Sequence, residues 1–226
     1  MNTGPSFLPA GTVYGVLLNF RRERLALASQ MLAAPYKAAP RAPVLYVKTA
    51  NTWSPHGSAI MLPGGVREAE VGATIAMVID REAKAISAQN ALDFVASYVL
   101  LNDLSIPHQS FYRPPVKTKC VDGFLGVGAQ ARPAREAGDP AQFTLEVRIN
   151  GALRQSVVFS DLVRSAAQLL VDVTEFMTLA AGDLLMLGCD LGRPLAGAGD
   201  RIEITSPGFA PLVNTLAAHD AAGEAR

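Results

Sequence analysis

The sequence predicts a β-rich α+β fold, and three observations carry that reading. Short apolar or alternating runs recur between turn signals along most of the 226 residues. Asn150-Gly151 joins two such runs, a strong type I′ hairpin signal. Only two stretches show a helical apolar face, one beginning at Arg21 and one after Ser165.

Taken in order, residues 1–10 read as a flexible lead-in, 11–216 as a single domain without repeat or interior linker, and 217–226 as a frayed tail. Val13 to Asn19 is a buried strand. Arg21-Arg22-Glu23-Arg24 then opens a helix as a solvated first turn, with Leu25, Leu27, Ala28, Met31 and Leu32 as its apolar face. Pro35 to Pro43 is a proline-punctuated loop, Val44 to Lys48 a strand, and Trp53 to Gly57 a turn. Thr74 to Ile79 is continuously apolar and reads as a buried strand, with Glu68 and Glu70 as its polar approach. Ser87 caps a short helix over Ala88 to Asp93, and Phe94 to Leu101 is a second buried strand. Phe143 to Ile149 and Leu153 to Phe159 form the hairpin. Ser165 and Gln168 make a capping box, and Leu169, Leu170, Val173, Phe176 and Met177 share one face of a helix ending near Thr178. Leu184 to Leu187 is a strand with no guarding charge, hence edge-capable, and Arg201 to Thr205 is another strand.

Composition excludes several classes. Lys+Arg and Asp+Glu are equal at 20 each, which argues against nucleic-acid or anionic-membrane binding. Cys120 and Cys189 give no disulfide framework and suit a reducing cytoplasm. The first residues lack the basic and apolar regions of a signal peptide, and no apolar run approaches the roughly 20 residues of a membrane helix. The expectation is a soluble cytoplasmic protein. His56, His108 and His219 lie too far apart in sequence to suggest a histidine-built metal site.

The richest stretch runs from Asn102 to Gly128. It holds Asp103, His108, Tyr112, Arg113, Lys117, Lys119, Cys120 and Asp122, and Pro107, Pro114 and Pro115 exclude a continuous helix or central strand. A proline-fixed, charged loop of this length is a common place for a site. Basic neighbours would activate Cys120, but no base stands at a recognisable spacing, so an inert packed thiol is expected.

Asn102-Asp103, Lys119 and Asp122-Gly123-Phe124 resemble the ND…GK…D-x-F core of the fumarylacetoacetate hydrolase family. SFYRPPVKTKCVDGF, Pro35-Tyr36-Lys37 and Lys48-Thr49-Ala50-Asn51-Thr52 narrow the resemblance to its decarboxylase/isomerase branch in aromatic catabolism. The resemblance implies a β-roll with peripheral helices. It also implies decarboxylation of 5-oxopent-3-ene-1,2,5-tricarboxylate or isomerisation of 2-hydroxyhepta-2,4-diene-1,7-dioate. Both reactions develop negative charge on an oxygen beside the reacting carbon, which calls for an electrophile there.

By the same resemblance Asp103 and Lys119 are the catalytic pair. Asn19, Arg113, Lys117, Asp122 and Cys189 are the substrate-binding set, the first of them opening the family's G-L-N-Y pattern. The family holds magnesium or manganese through an E-x-E pair and the Asp of N-D, whereas Gly72 and Thr74 stand at the glutamate positions here. One carboxylate holds magnesium poorly, so no tightly bound metal is expected unless Glu68 and Glu70 swing in through a bulge. The family's proton-transfer dyad is replaced by Glu23 and Ala26, its G-T-P by Gly188-Cys189-Asp190, and its substrate-binding Arg by Pro107, beside His108. The expected partners are a small carboxylate and a second copy or a paralogous subunit. Three readings stay open: an active subunit, a catalytically degenerate partner of a metal-competent paralogue, and a small-carboxylate binding protein.

Overall fold

The computed structural model describes residues 6–108 and 115–219. In chain order, β1 (Val13–Leu17) leads into two short helices, α1 (Arg21–Ala26) and α2 (Ala28–Leu32). Then come β2 (Val44–Lys48), β3 (Trp53–Pro55), β4 (Ala59–Met61), β5 (Glu68–Glu70), β6 (Ala73–Ile79) and β7 (Val95–Asp103). After α3 (Val116–Lys119) follow β8 (Leu125–Val127), β9 (Arg132–Pro133) and α4 (Ala134–Ala137). The hairpin β10 (Thr144–Ile149) and β11 (Ala152–Val158) precedes α5 (Ala166–Thr174). The chain closes with β12 (Leu184–Met186), β13 (Leu195–Gly197), β14 (Arg201–Thr205) and β15 (Leu212–Ala217).

One sheet has the order β2-β1-β12-β6-β7-β8-β3, with β9 also on β7, and a second has the order β11-β10-β14-β15-β4. In the first sheet β2 and β3 are the two edges, yet they are joined by only the single turn Ala50–Thr52. Seven strands laid flat would put those edges about 29 Å apart at roughly 4.8 Å per gap. The five residue steps from Lys48 to Trp53 reach at most about 17 Å. The sheet therefore curls until its edges approach each other, which is the roll that the family resemblance implies.

The curl gives β6 two buried faces, and all seven of its residues are buried. Ile75, Met77 and Ile79 join the larger core beneath the second sheet. Ala76 and Val78 turn instead to a smaller cluster with Val99, Leu101, Leu125, Val127, Leu184 and Met186. Asp103 shares that second face, two positions beyond Leu101 on β7. An apolar floor thus ends in a carboxylate.

Several expectations are corrected. The strand at Leu184 is interior, paired with β1 on one side and β6 on the other, so it offers no free edge. Trp53 to Pro55 is not a turn but a strand, parallel to β8. The helix expected from Arg21 breaks at Leu27 (φ −97°, ψ 5°), and Leu25 and Leu32 are 77% and 67% exposed. The inward face keeps Leu27 and Met31 of the expected set and adds Glu23, the three spaced four apart. The helix after Ser165 ends at Thr174, and Phe176 is 62% exposed. Ser165 does cap it, accepting the Gln168 N–H, and Asn150 and Gly151 both take positive φ, as the hairpin turn requires. Among the described residues no helix is long and apolar enough to cross a membrane.

Candidate active site

Asp103 ends β7, 1% exposed, where the strand meets the start of the long loop. Three groups converge on it. Lys119, on α3, places Nζ 2.8 Å from Oδ2, and the Tyr46 hydroxyl donates to the same oxygen. Lys48 Nζ lies 2.9 Å from Oδ1.

Alternation along β2 explains the last two: Tyr46 and Lys48 face inward while Val47 is 41% exposed. Tyr46 has room only because Gly15 sits opposite it in register, where a Cβ would come within 2.1 Å of the ring. Lys48 donates to the carbonyls of Leu104, Lys119 and Phe124. Its three hydrogens are thereby used, and Oδ1 receives charge but no hydrogen bond.

Electrostatics follow from this packing. Burial alone pushes the Asp103 carboxyl up, but the ammonium groups of Lys119 and Lys48 outweigh it and hold the group well below the usual carboxylate range. Burial lowers Lys48, opposed by Asp103. Burial and Asp103 together raise the Tyr46 phenol well above its ordinary value. Lys119 Nζ also stands 4.7 Å from the centre of the Tyr46 ring.

Lys119 reaches a cavity of about 400 Å³. Its apolar lining comes from Leu17, Leu27, Met31, Ala33, Tyr36 and Val44. Its polar lining comes from Lys119, Glu23, Glu70, Ser105, His108 and Arg193. Arg193 stands 3.5 Å from Glu23 through Nη2 and 3.5 Å from Glu70 through Nε. Glu23 also accepts the backbone N–H of Leu18 at 3.1 Å. Leu18 has φ 59°, a left-handed conformation that costs a bulky residue energy and directs its amide at the carboxylate.

The other expected site residues fall elsewhere. Asn19 is buried but clasps the backbone, donating to Arg164 O and Leu187 O and accepting Arg164 N–H. Asp122 is exposed and accepts from Asn51, and Lys117 is exposed. Neither lines the cavity. Cys189 packs behind the pair, its sulfur 3.9 Å from Asp103 Oδ2, and burial pushes its thiol up to about 12. Arg113 and Tyr112 lie outside the described residues. Cys120 donates to Val47 O, and Asp190 is buried and paired with Arg22.

The sequence reading did not select Lys48, Tyr46, Glu23 or Arg193 for the site. The four-residue spacing of Glu23, Leu27 and Met31 was a usable signal for Glu23. Arg193, between Gly192 and Pro194 in an irregular loop, carries no such signal.

The divalent metal of the family does not fit these residues. Gly72 lies opposite Asp103, and a Cβ there would sit 2.4 Å from Asp103 O and 3.0 Å from Cys189 Sγ. Thr74 donates its hydroxyl to Gly188 O at 2.6 Å. Asp103 is engaged by two ammonium groups, and Glu70 is turned to Arg193. Among the described residues no three His, Cys, Asp or Glu side chains are grouped to hold a metal ion. Magnesium, which seeks near-octahedral oxygen ligands, finds no such set among the described residues.

Comparison with known proteins places this geometry. Residues 12–217 match the family model for fumarylacetoacetate (FAA) hydrolase, C-terminal. A 4-hydroxyphenylacetate degradation bifunctional isomerase/decarboxylase from Salmonella dublin is 37% identical over 210 residues, 93% of this chain and 48% of that protein. The chain thus spans about half the length of these curated relatives. The solved 2-hydroxyhepta-2,4-diene-1,7-dioate isomerase of Mycobacterium marinum superposes with TM-score 0.77 at 25% identity, covering 95% of this chain and 77% of that one. Fumarylpyruvate hydrolase from Pseudomonas aeruginosa, crystallised with Mn2+ and pyruvate, shares the fold with TM-score 0.81 at 19% identity, over 97% and 94% of the two chains. The curled sheet, the Asp103–Lys119 pair at its end and these matches lead to one conclusion: the chain belongs to the fumarylacetoacetate hydrolase family.

Proposed function

We propose that this chain is a subunit of a decarboxylase/isomerase for linear oxo and hydroxy di- and tricarboxylates, and that Lys119 supplies the electrophile. The observation that carries the reading is that Lys119, ion-paired with the buried Asp103, lines a cavity that also has a broad apolar lining. A linear carbon chain suits the apolar lining, and its carboxylates suit the ammonium of Lys119 and the guanidinium of Arg193. Decarboxylation releases CO2 and leaves an enolate; isomerisation of the hydroxydiene takes the proton from its 2-hydroxyl, leaves a dienolate and returns a proton to carbon. In each case negative charge gathers on an oxygen, where a fixed ammonium in a water-poor site stabilises it. Asp103 holds that ammonium in place, and Lys48 keeps Asp103 ionised. The second subunit, a copy or a paralogue, belongs to the same proposal, supported by the half-length match to the curated relatives.

The purified chain is assayed on 5-oxopent-3-ene-1,2,5-tricarboxylate and on 2-hydroxyhepta-2,4-diene-1,7-dioate, beside Lys119→Met. The expected loss in the variant is about 10²-fold or more, the usual cost of removing one such donor. A variant as fast as the wild type removes Lys119 from the chemistry.

A second reading, a non-catalytic partner of a metal-competent paralogue, is favoured by one observation: Gly72 has no room for a side chain beside Asp103. Turnover of neither compound by the chain alone, with turnover restored by the paralogue, would establish it.

A further inference from the structure

Arg193 is held in an unusual way. Its side chain is 20% exposed and lines the cavity, yet its contacts with the two glutamates are long, 3.5 Å to Glu23 and 3.5 Å to Glu70. A guanidinium carries five donors in a planar fork that matches a carboxylate bidentately. At 3.5 Å the fork is steered by the two glutamates rather than saturated by them.

The charge count adds a constraint. Among the described residues, Arg193, Lys119 and Lys48 face Glu23, Glu70 and Asp103, three formal charges against three. A dicarboxylate entering this neutral set brings two uncompensated negative charges into a largely buried space. Neutralising one of the glutamates relieves this, and burial selects it: the Glu23 side chain is 5% exposed and that of Glu70 is 25% exposed. Desolvation weighs more on the deeper carboxylate.

We infer that Arg193 is the fork that receives a substrate carboxylate, and that Glu23 takes up a proton as the carboxylate arrives. The inference rests on the cavity being the di- and tricarboxylate site proposed above. The proton comes from the buffer and bonds to a Glu23 carboxyl oxygen, which releases Nη2 of Arg193 toward the incoming anion. No other bond changes. The charged groups acting on Glu23 are Arg193 and Asp190 from the loop after β12 and Lys119 from α3, and Glu70 from β5 and His108 line the same cavity. Arg22, on its own helix, is engaged by Asp190. Burial already pushes the Glu23 carboxyl up from its ordinary value, with Arg193 opposing, so a further negative charge completes a change the fold has begun.

The test is calorimetric titration of the whole chain with heptanedioate, a saturated seven-carbon dicarboxylate, at neutral pH in buffers of different ionisation enthalpy. The wild type is expected to take up close to one proton per heptanedioate bound. Glu23→Gln, which keeps an acceptor for the Leu18 amide, is expected to bind at least as tightly with uptake near zero. Arg193→Lys keeps the charge without the fork and is expected to bind about 30-fold more weakly or worse. Uptake near zero in the wild type overturns the inference, as does unchanged uptake in Glu23→Gln, unchanged affinity in Arg193→Lys, or a wild type that does not bind heptanedioate. The wild-type proton count needs no variant, so a poorly folding variant leaves the test intact. If these fail while the chain still turns over the seven-carbon dienol, only this inference falls. If turnover is absent too, the proposed function falls with it.

Discussion

Lys48→Met separates the roles of packing and charge at the end of the roll. Methionine nearly matches the length and volume of lysine, so the packing loss is small, less than about 1.5 kcal/mol. The electrical loss is large. The Lys48 side chain is fully buried, 2.9 Å from an Asp103 oxygen that has no hydrogen bond, and it donates to three carbonyls. Phe124 O keeps a second donor, the Leu104 N–H at 3.1 Å, so two carbonyls stand to lose their donor. Removing one partner of a buried ion pair costs about 3–5 kcal/mol, and leaving a buried carbonyl unsatisfied costs about 1–3 kcal/mol. Lys119 still compensates Asp103, which argues for the lower ends of those ranges. The sum is at least about 5 kcal/mol, comparable with the whole stability of many domains.

Urea unfolding followed by circular dichroism measures this loss. Lys48→Met is expected either to unfold at far lower urea or not to fold. Adding Asp103→Asn removes the charge that Lys48 compensates, so the double variant should lose clearly less than the two single losses combined. A Lys48→Met chain within about 0.5 kcal/mol of wild type, the range of ordinary surface changes, would refute the reasoning.

Three further outcomes follow from the same geometry. Gly72→Ala should destabilise the chain by about 2 kcal/mol or more, because its Cβ would meet Asp103 O at 2.4 Å; an unchanged urea midpoint would mean that β6 and β7 can part freely. The folded Asp103 carboxyl is depressed, so its stabilisation is complete above its ordinary value of about 3.9 and is lost as pH falls toward the folded value. Wild type should therefore lose its advantage over Asp103→Asn as pH drops below about 4, and a constant difference in urea midpoint would contradict this. The Cys189 thiol is raised to about 12, so the stability it contributes holds below its ordinary value of about 8.5 and fades as pH rises toward 12. Cys189→Ala should flatten that alkaline loss, and in native wild type Cys120 should react with iodoacetamide long before Cys189.

Much of the fold was legible because local patterns and burial agreed. Val44 to Lys48 and Arg201 to Thr205 match the observed strands residue for residue, and the Asn150-Gly151 turn lies where its chemistry requires. Errors arose where tertiary packing overrode periodicity. Leu25 and Leu32 looked like a core face, but the cavity takes the face that carries Glu23. Leu184 looked unguarded because it is an interior strand, which needs no guarding charge. At the site, Asp103 and Lys119 were legible from a short motif on one loop. Lys48, Tyr46 and Arg193 come from β2 and from the loop after β12. They meet Asp103 and the cavity only because the sheet curls, and no local pattern announces that.

The most direct test of the account is turnover of the seven-carbon dienol and the tricarboxylate by the isolated chain in a strong chelator, compared with added Mn2+. With Lys119 as the electrophile, at least one of the two compounds should be consumed at the same rate in both conditions. Turnover that vanishes in chelator and returns with Mn2+ would contradict the account.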